Sequence, residues 1–143
     1  MIALALIATL LATQMAPVRQ STAAAQTQGD AADAACMAAA ITDSDYEDCA
    51  RAWAERADAA LDGVYAAVRG TLASPGCGEH CAATLALLDD SQAQWTRWRR
   101  TDCDGIWQLN AGGSIRNVEF LRCMARRASH RAAELRTDYG IAP

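Results

Sequence analysis

Between Tyr46 and Leu72 the apolar residues return every three or four positions, and that period dictates a helix. Tyr46, Cys49, Trp53, Ala57, Ala60, Leu61, Val64, Tyr65, Val68 and Leu72 form one stripe over about eight turns. Aspartates and arginines occupy the opposite face. Ser74-Pro75-Gly76 interrupts the pattern. A second stripe follows through Cys81, Leu85, Leu88, Gln92, Trp95, Trp98 or Arg99, and Asp102, running to Gly105. The glycine-rich stretch 111–114 then precedes a third, through Val118, Leu121, Arg122, Met124 to Ala125, Ala128, Ala132, Leu135 and Tyr139. No window alternates apolar and polar residues as a strand does. The expected fold class is all-α: an antiparallel three-helix bundle with a short extra N-terminal helix. Ser44-Asp45-Tyr46-Glu47 has the spacing of a capping box, serine first and glutamate three later.

Composition supports this assignment. Of 143 residues, 52% are hydrophobic but only 6% aromatic. Alanine, the strongest helix former, makes up the difference. The apolar content is enough for a core, which argues against intrinsic disorder. All 13 basic residues are arginine, and 17 acids bring the net charge to −4. That balance excludes a uniformly basic nucleic-acid binder.

Residues 1–12 form an apolar run with the length of a signal-peptide core, well short of the roughly 20 residues a membrane-spanning helix needs. Small residues follow, and cleavage after Ala25 satisfies the usual small-residue rule. The expected division is therefore a signal peptide over 1–25, a flexible leader over 26–35 and a helical domain over 36–139. No integral membrane segment is expected after cleavage. The compartment is then periplasmic or extracellular and oxidising, and six cysteines read as three disulfides. Residues equidistant from a turn lie side by side in antiparallel helices. Cys103 and Cys123 flank Gly113 symmetrically, Cys36 and Cys49 flank the Thr42-Asp43 turn, and Cys77 and Cys81 close a small loop. A rival pairing, Cys49 with Cys103, stays open because the first long hairpin also brings those two together.

Three ordered motifs carry a family resemblance. DAALDGVY (58–65) supplies Asp58, Leu61 and Tyr65. QAQWTRWRRTDC (92–103) supplies Gln92, Trp95, Trp98, Arg99 and Cys103. Gly112-Gly113-Ser114 is followed by Cys123, Arg131 and Leu135. Over residues 36–136 the chain resembles the bacterial secreted family typified by the lysozyme inhibitor LprI. It departs at Asp62, where that family tends to have Asn, and at Ala128, where it tends to have Thr. The resemblance implies an exported inhibitor whose partner is a lysozyme.

The motif residues have a physical reading of their own. Trp95 and Trp98 are expected to bury their rings between helices. Gln92 and Arg99 sit on the apolar stripe, where a polar group needs a partner. Folding the first hairpin about Gly76 places Asp58 near Arg99, so an ion pair, even a bidentate one, is expected to fix helix register.

Catalysis finds no support. His80 and His130 are far apart in sequence, and no nucleophile elbow, zinc-protease or phosphate-loop motif occurs. No cofactor and no metal site is expected. Asp89-Asp90 reads as solvated helix face. Binding is the remaining class. Residues 105–114 read as a loop holding Trp107, with Gln108 and Asn110 adding amides, and these three are the candidate partner contacts. The acidic stretch Asp43–Asp48 suits a cationic partner, as animal-type lysozymes are. An alternative is a structural or adaptor protein of the envelope, whose arginine-rich second half, with nine Arg against four acids over 91–136, contacts anionic lipid or polysaccharide.

Overall fold

The computed structural model describes residues 31–140. The expected signal peptide and the first residues of the leader lie outside that range. The described residues fold into four helices without strands: α1 over 31–39, α2 over Asp43–Leu72, α3 over His80–Leu109 and α4 over Arg116–Tyr139.

Two expectations about the start are corrected. The leader is helical from residue 31, and Asp33 within it is buried at 2% exposure. Arg122 explains why, since its guanidinium meets the Asp33 carboxylate at 3.2 Å. The cap of α2 lies two residues before the expected serine. Thr42 takes the extended conformation and accepts from the Asp45 backbone N–H, while the Asp45 carboxylate accepts from the N–H groups of Thr42 (2.8 Å) and Ile41 (3.1 Å). An aspartate closes the box as well as a glutamate, and Glu47 is left for other work. At the far end Gly140, with φ of 64°, terminates α4 in the left-handed conformation.

The core is built chiefly between α2 and α4. Trp53, Ala54, Ala57, Leu61, Val64 and Val68 from α2 meet Ala125, Ala128, Ala132 and Leu135 from α4, and α3 adds Leu88. Alanines on both sides let the two backbones approach closely. The few large side chains then supply most of the burial energy, about 1.5–3 kcal/mol for each fully buried Leu or Val. α3 joins this pair mainly along α4, so only a narrow strip of it is covered. That strip passes through Leu88, Arg99 and Cys103 and leaves Trp98 47% exposed. The expectation of a buried Trp98 is therefore corrected. Its ring lies at the edge of the strip, where the Arg127 guanidinium covers it at 5.1 Å. Trp95 is partly buried against the core as expected.

Cross-helix contacts define the register. Along α3 and α4 they pair Trp107 with Asn117, Cys103 with Cys123, Arg99 with Met124 and Gln92 with Arg131, one number falling as the other rises. Between α2 and α4 both numbers rise together, from Glu47 with Asn117 to Trp53 with Arg122. The start of α2, the end of α3 and the start of α4 thus meet at one end.

The three disulfides join Cys36 to Cys49, Cys77 to Cys81 and Cys103 to Cys123, with Cα separations of 5.7, 5.9 and 5.7 Å. The rival pairing of Cys49 with Cys103 does not occur. The first bridge ties α1 to α2, the second closes the α2–α3 connection and the third locks α3 to α4. In a domain this small each bridge contributes about 2–4 kcal/mol.

Candidate partner-binding end

Where those three helix ends meet, a cleft of about 570 Å³ opens to solvent. From α3 it is lined by Arg100, Asp104, Trp107 and Gln108, from α2 by Glu47 and Arg51, and from α4 by Asn117, Phe120 and Leu121. Trp107 lies in the last helical turn of α3, which continues through Gly105 to Leu109, so the connecting loop is only 110–115. This corrects the expected 105–114 loop. Helical geometry, not loop freedom, aims the ring.

A hydrogen-bonded chain fixes that aim across all three helices. The Trp107 indole N–H donates to Asn117 Oδ1 at 3.1 Å, and Asn117 Nδ2 donates to Glu47 Oε2 at 3.1 Å. The other Glu47 oxygen pairs with Arg51 one turn along α2. Arg116 stacks on Trp107 at 4.8 Å from outside the cleft, and Arg100 stacks on Phe120 at 4.8 Å while pairing with Asp104 at 3.1 Å. Every tryptophan in the domain has an arginine within 6 Å of its ring. The planar guanidinium group stacks on these rings as well as pairing with carboxylates, which a lysine ammonium does less well.

Of the three expected contact residues, the structure brings Trp107 and Gln108 to the cleft. Asn110 is elsewhere: its side chain donates to the Ile106 carbonyl at 2.8 Å and it caps α3. The cleft's further residues escaped sequence reasoning because Glu47 and Asn117 stand 70 positions apart. Around the same end lie exposed apolar side chains, Ile41 (88%), Leu109 (82%) and Ile115 (47%). None of the three lines the cleft itself.

The other motif residues build the frame. Arg99 meets Asp58 at 2.7 Å, the pair expected from the hairpin, but its hydrogen bonds go elsewhere. Nε and Nη2 both donate to the Met124 carbonyl, so the fork closes on backbone and not on a carboxylate. Leu61 is core, and Gln92 accepts from Arg131 Nε at 3.1 Å. Tyr65 donates its hydroxyl to Asp89 at 2.6 Å, and Arg69 pairs with the same carboxylate at 2.9 Å. Desolvation foremost, then the Asp89 hydrogen bond and charge, push the Tyr65 phenol above its ordinary pKa. Asp89 is thus a link between α2 and α3, not plain solvated face, whereas Asp90 only accepts from Gln94.

Cys103 and Cys123 lie beside Asp102 in a grouping with metal-ligand spacing. Their sulfurs are joined to each other, and Asp102 pairs with Arg127 at 2.8 Å. Beside His80, the sulfurs of Cys77 and Cys81 are likewise bonded together.

A family model described as lysozyme inhibitor LprI matches residues 36–135. No curated protein and no solved structure matches the chain. The matched span begins at the first disulfide and ends at the last fully buried leucine of α4, so it covers the whole stapled frame.

Proposed function

From the premise that the chain belongs to the lysozyme inhibitor LprI family, we propose that it is an exported protein that inhibits a lysozyme by occluding its cleft. The family match over 36–135 carries this reading. Retaining glycosidases work with two carboxylates in a cleft that must admit a sugar chain, so physical obstruction is sufficient. Three disulfides in so small a domain support a periplasmic or secreted location, with residues 1–25 as its signal.

This reading takes the long helices as an antiparallel bundle whose one end presents the interface. Leu109, Ile115 and Ile41 form its apolar rim, with Trp107 as the aromatic anchor. Acidic residues at the start of α2, among them Asp43 and Asp48, supply a field that steers a basic partner toward this end. The competing adaptor reading needs an available arginine face. Three of the α4 arginines, Arg122, Arg127 and Arg131, are paired with Asp33, Asp102 and Glu134, which reduces that face to Arg126, Arg136 and the Trp107-stacked Arg116 on this helix.

Turbidity of a cell-wall suspension during lysis, followed with purified mature protein, tests the proposal. Slowed lysis is expected, and undiminished lysis at excess protein removes it.

A further inference from the structure

We propose that the cleft at this end binds neutral pyranose units of a glycan. The inference goes beyond lysozyme inhibition and does not rest on it. Charge comes first. The carboxylates of Glu47 and Asp104 are matched inside the cleft by Arg51 and Arg100, so neither an anion nor a cation finds an unanswered charge. A wholly apolar occupant would desolvate both ion pairs with nothing in return. The remaining chemistry is a neutral ligand rich in hydroxyl groups that also has a flat apolar face.

A pyranose has both features. Each hydroxyl donates and accepts. Carboxylates accept, guanidinium groups donate, and the exposed Gln108 amide, which has no partner among the described residues, does both. Trp107 offers a ring surface for the C–H face, with Arg116 bracing it from outside. The bonds from Trp107 to Asn117 and from Asn117 to Glu47 set this wall before any ligand arrives, which lowers the ordering cost of binding. A volume of about 570 Å³ lies within the range of small-ligand sites and suits one or two sugar rings.

The test follows the tryptophan indole N–H signals of the nitrogen-labelled full domain by NMR, with the Trp107 signal assigned through Trp107→Phe. The probes are chitotetraose, cellotetraose and a sulfated tetrasaccharide. The neutral probes should shift the Trp107 signal, leave that of Trp53 in place, and saturate at roughly millimolar concentration. Gln108→Ala, at an exposed position, should weaken binding by about tenfold, the worth of one good hydrogen bond. Absence of any Trp107 shift overturns the proposal, as does tighter binding of the sulfated probe or an unaltered affinity in Gln108→Ala. Wall lysis measured on the same samples keeps the two readings apart. A retained shift without inhibition removes only the lysozyme reading, and inhibition without a shift removes only this one.

Discussion

Arg99 directs two hydrogen bonds, from Nε at 3.1 Å and Nη2 at 2.8 Å, onto the single carbonyl oxygen of Met124. Its side chain is 7% exposed, while its counter-charge Asp58 is 45% exposed. The cation therefore sits on the dry side of the pair, while the carboxylate is half-exposed overall but turns a buried Oδ1 toward it. Removing each partner should have unequal consequences. Asp58→Ala leaves a buried cation facing one neutral acceptor and should cost roughly 1–3 kcal/mol, below the loss for a fully buried pair because solvent already screens Asp58. Arg99→Met removes the buried charge, lets Asp58 re-solvate and should cost about 1 kcal/mol or less. Urea unfolding of both variants checks the order, and a larger loss for Arg99→Met contradicts it.

The cap of α2 predicts a pH dependence. Hydrogen bonds from the Thr42 backbone, then from its side chain, then from the Ile41 backbone hold the Asp45 carboxyl below its ordinary pKa. A lowered folded value means the stabilisation is complete above the unfolded aspartate range, near about 4. It is then lost as the pH falls through the folded value. Asp45→Asn should melt below the wild type at neutral pH, and the gap should close in strong acid. An equal gap at both pH values would show that the negative charge contributes nothing.

Tyr65 predicts the opposite sign at the alkaline end. Its raised pKa means that the contribution of the protonated phenol is whole below the ordinary tyrosine value and disappears as pH rises through the folded one. In an ultraviolet titration one tyrosine should ionise later than the other two. Asp89→Ala should bring that late step partway back. Burial, the larger cause, remains in the variant, so a complete return is not expected. An unmoved late step would assign the shift to burial alone.

Local periodicity made most of this frame legible. The stripes through Trp53, Leu61 and Val68 and through Ala125, Ala132 and Leu135 needed only the helical period, whereas the spacing of the cysteines about their turns suggested the disulfide partners but left Cys49 with Cys103 open until the structure decided. Asp58 and Arg99 were found by the same symmetry. What stayed hidden depends on where three helices converge. Trp98 is as apolar as Trp95, and only the narrowness of the α3 strip separates an exposed ring from a half-buried one. Asn110 resembles a loop amide until the true end of α3 turns it into a cap. Glu47 resembles the closing residue of a capping box, yet Asp45 takes that part and Glu47 reaches Asn117 instead. Half of the cleft is therefore tertiary in origin, and no spacing within α3 announces it.

Trp107 brings folding and binding together in one side chain, and paired substitutions separate them. It lies outside the main core cluster and is held by its indole N–H on Asn117 and by stacking under Arg116. Trp107→Ala should thus lower stability only modestly, by about 1–2 kcal/mol, for one hydrogen bond and a partly buried ring. As an interface anchor the same change should weaken lysozyme inhibition by tenfold or more, corresponding to about 2 kcal/mol. Trp107→Phe retains a ring without the N–H donor. It should melt near the wild type, since Asn117 lies at the surface and re-solvates, and should lose less inhibition than the alanine variant. Asn117→Ala should weaken inhibition about as much as Trp107→Phe, because each breaks the same bond and leaves an aromatic ring in place, but should melt slightly lower, since it also breaks the bond to Glu47. Should Trp107→Ala melt far below the wild type while inhibiting normally when folded, Trp107 is a lid over the Cys103–Cys123 end of the bundle and the anchor must be sought on the rim, at Leu109 or Ile115.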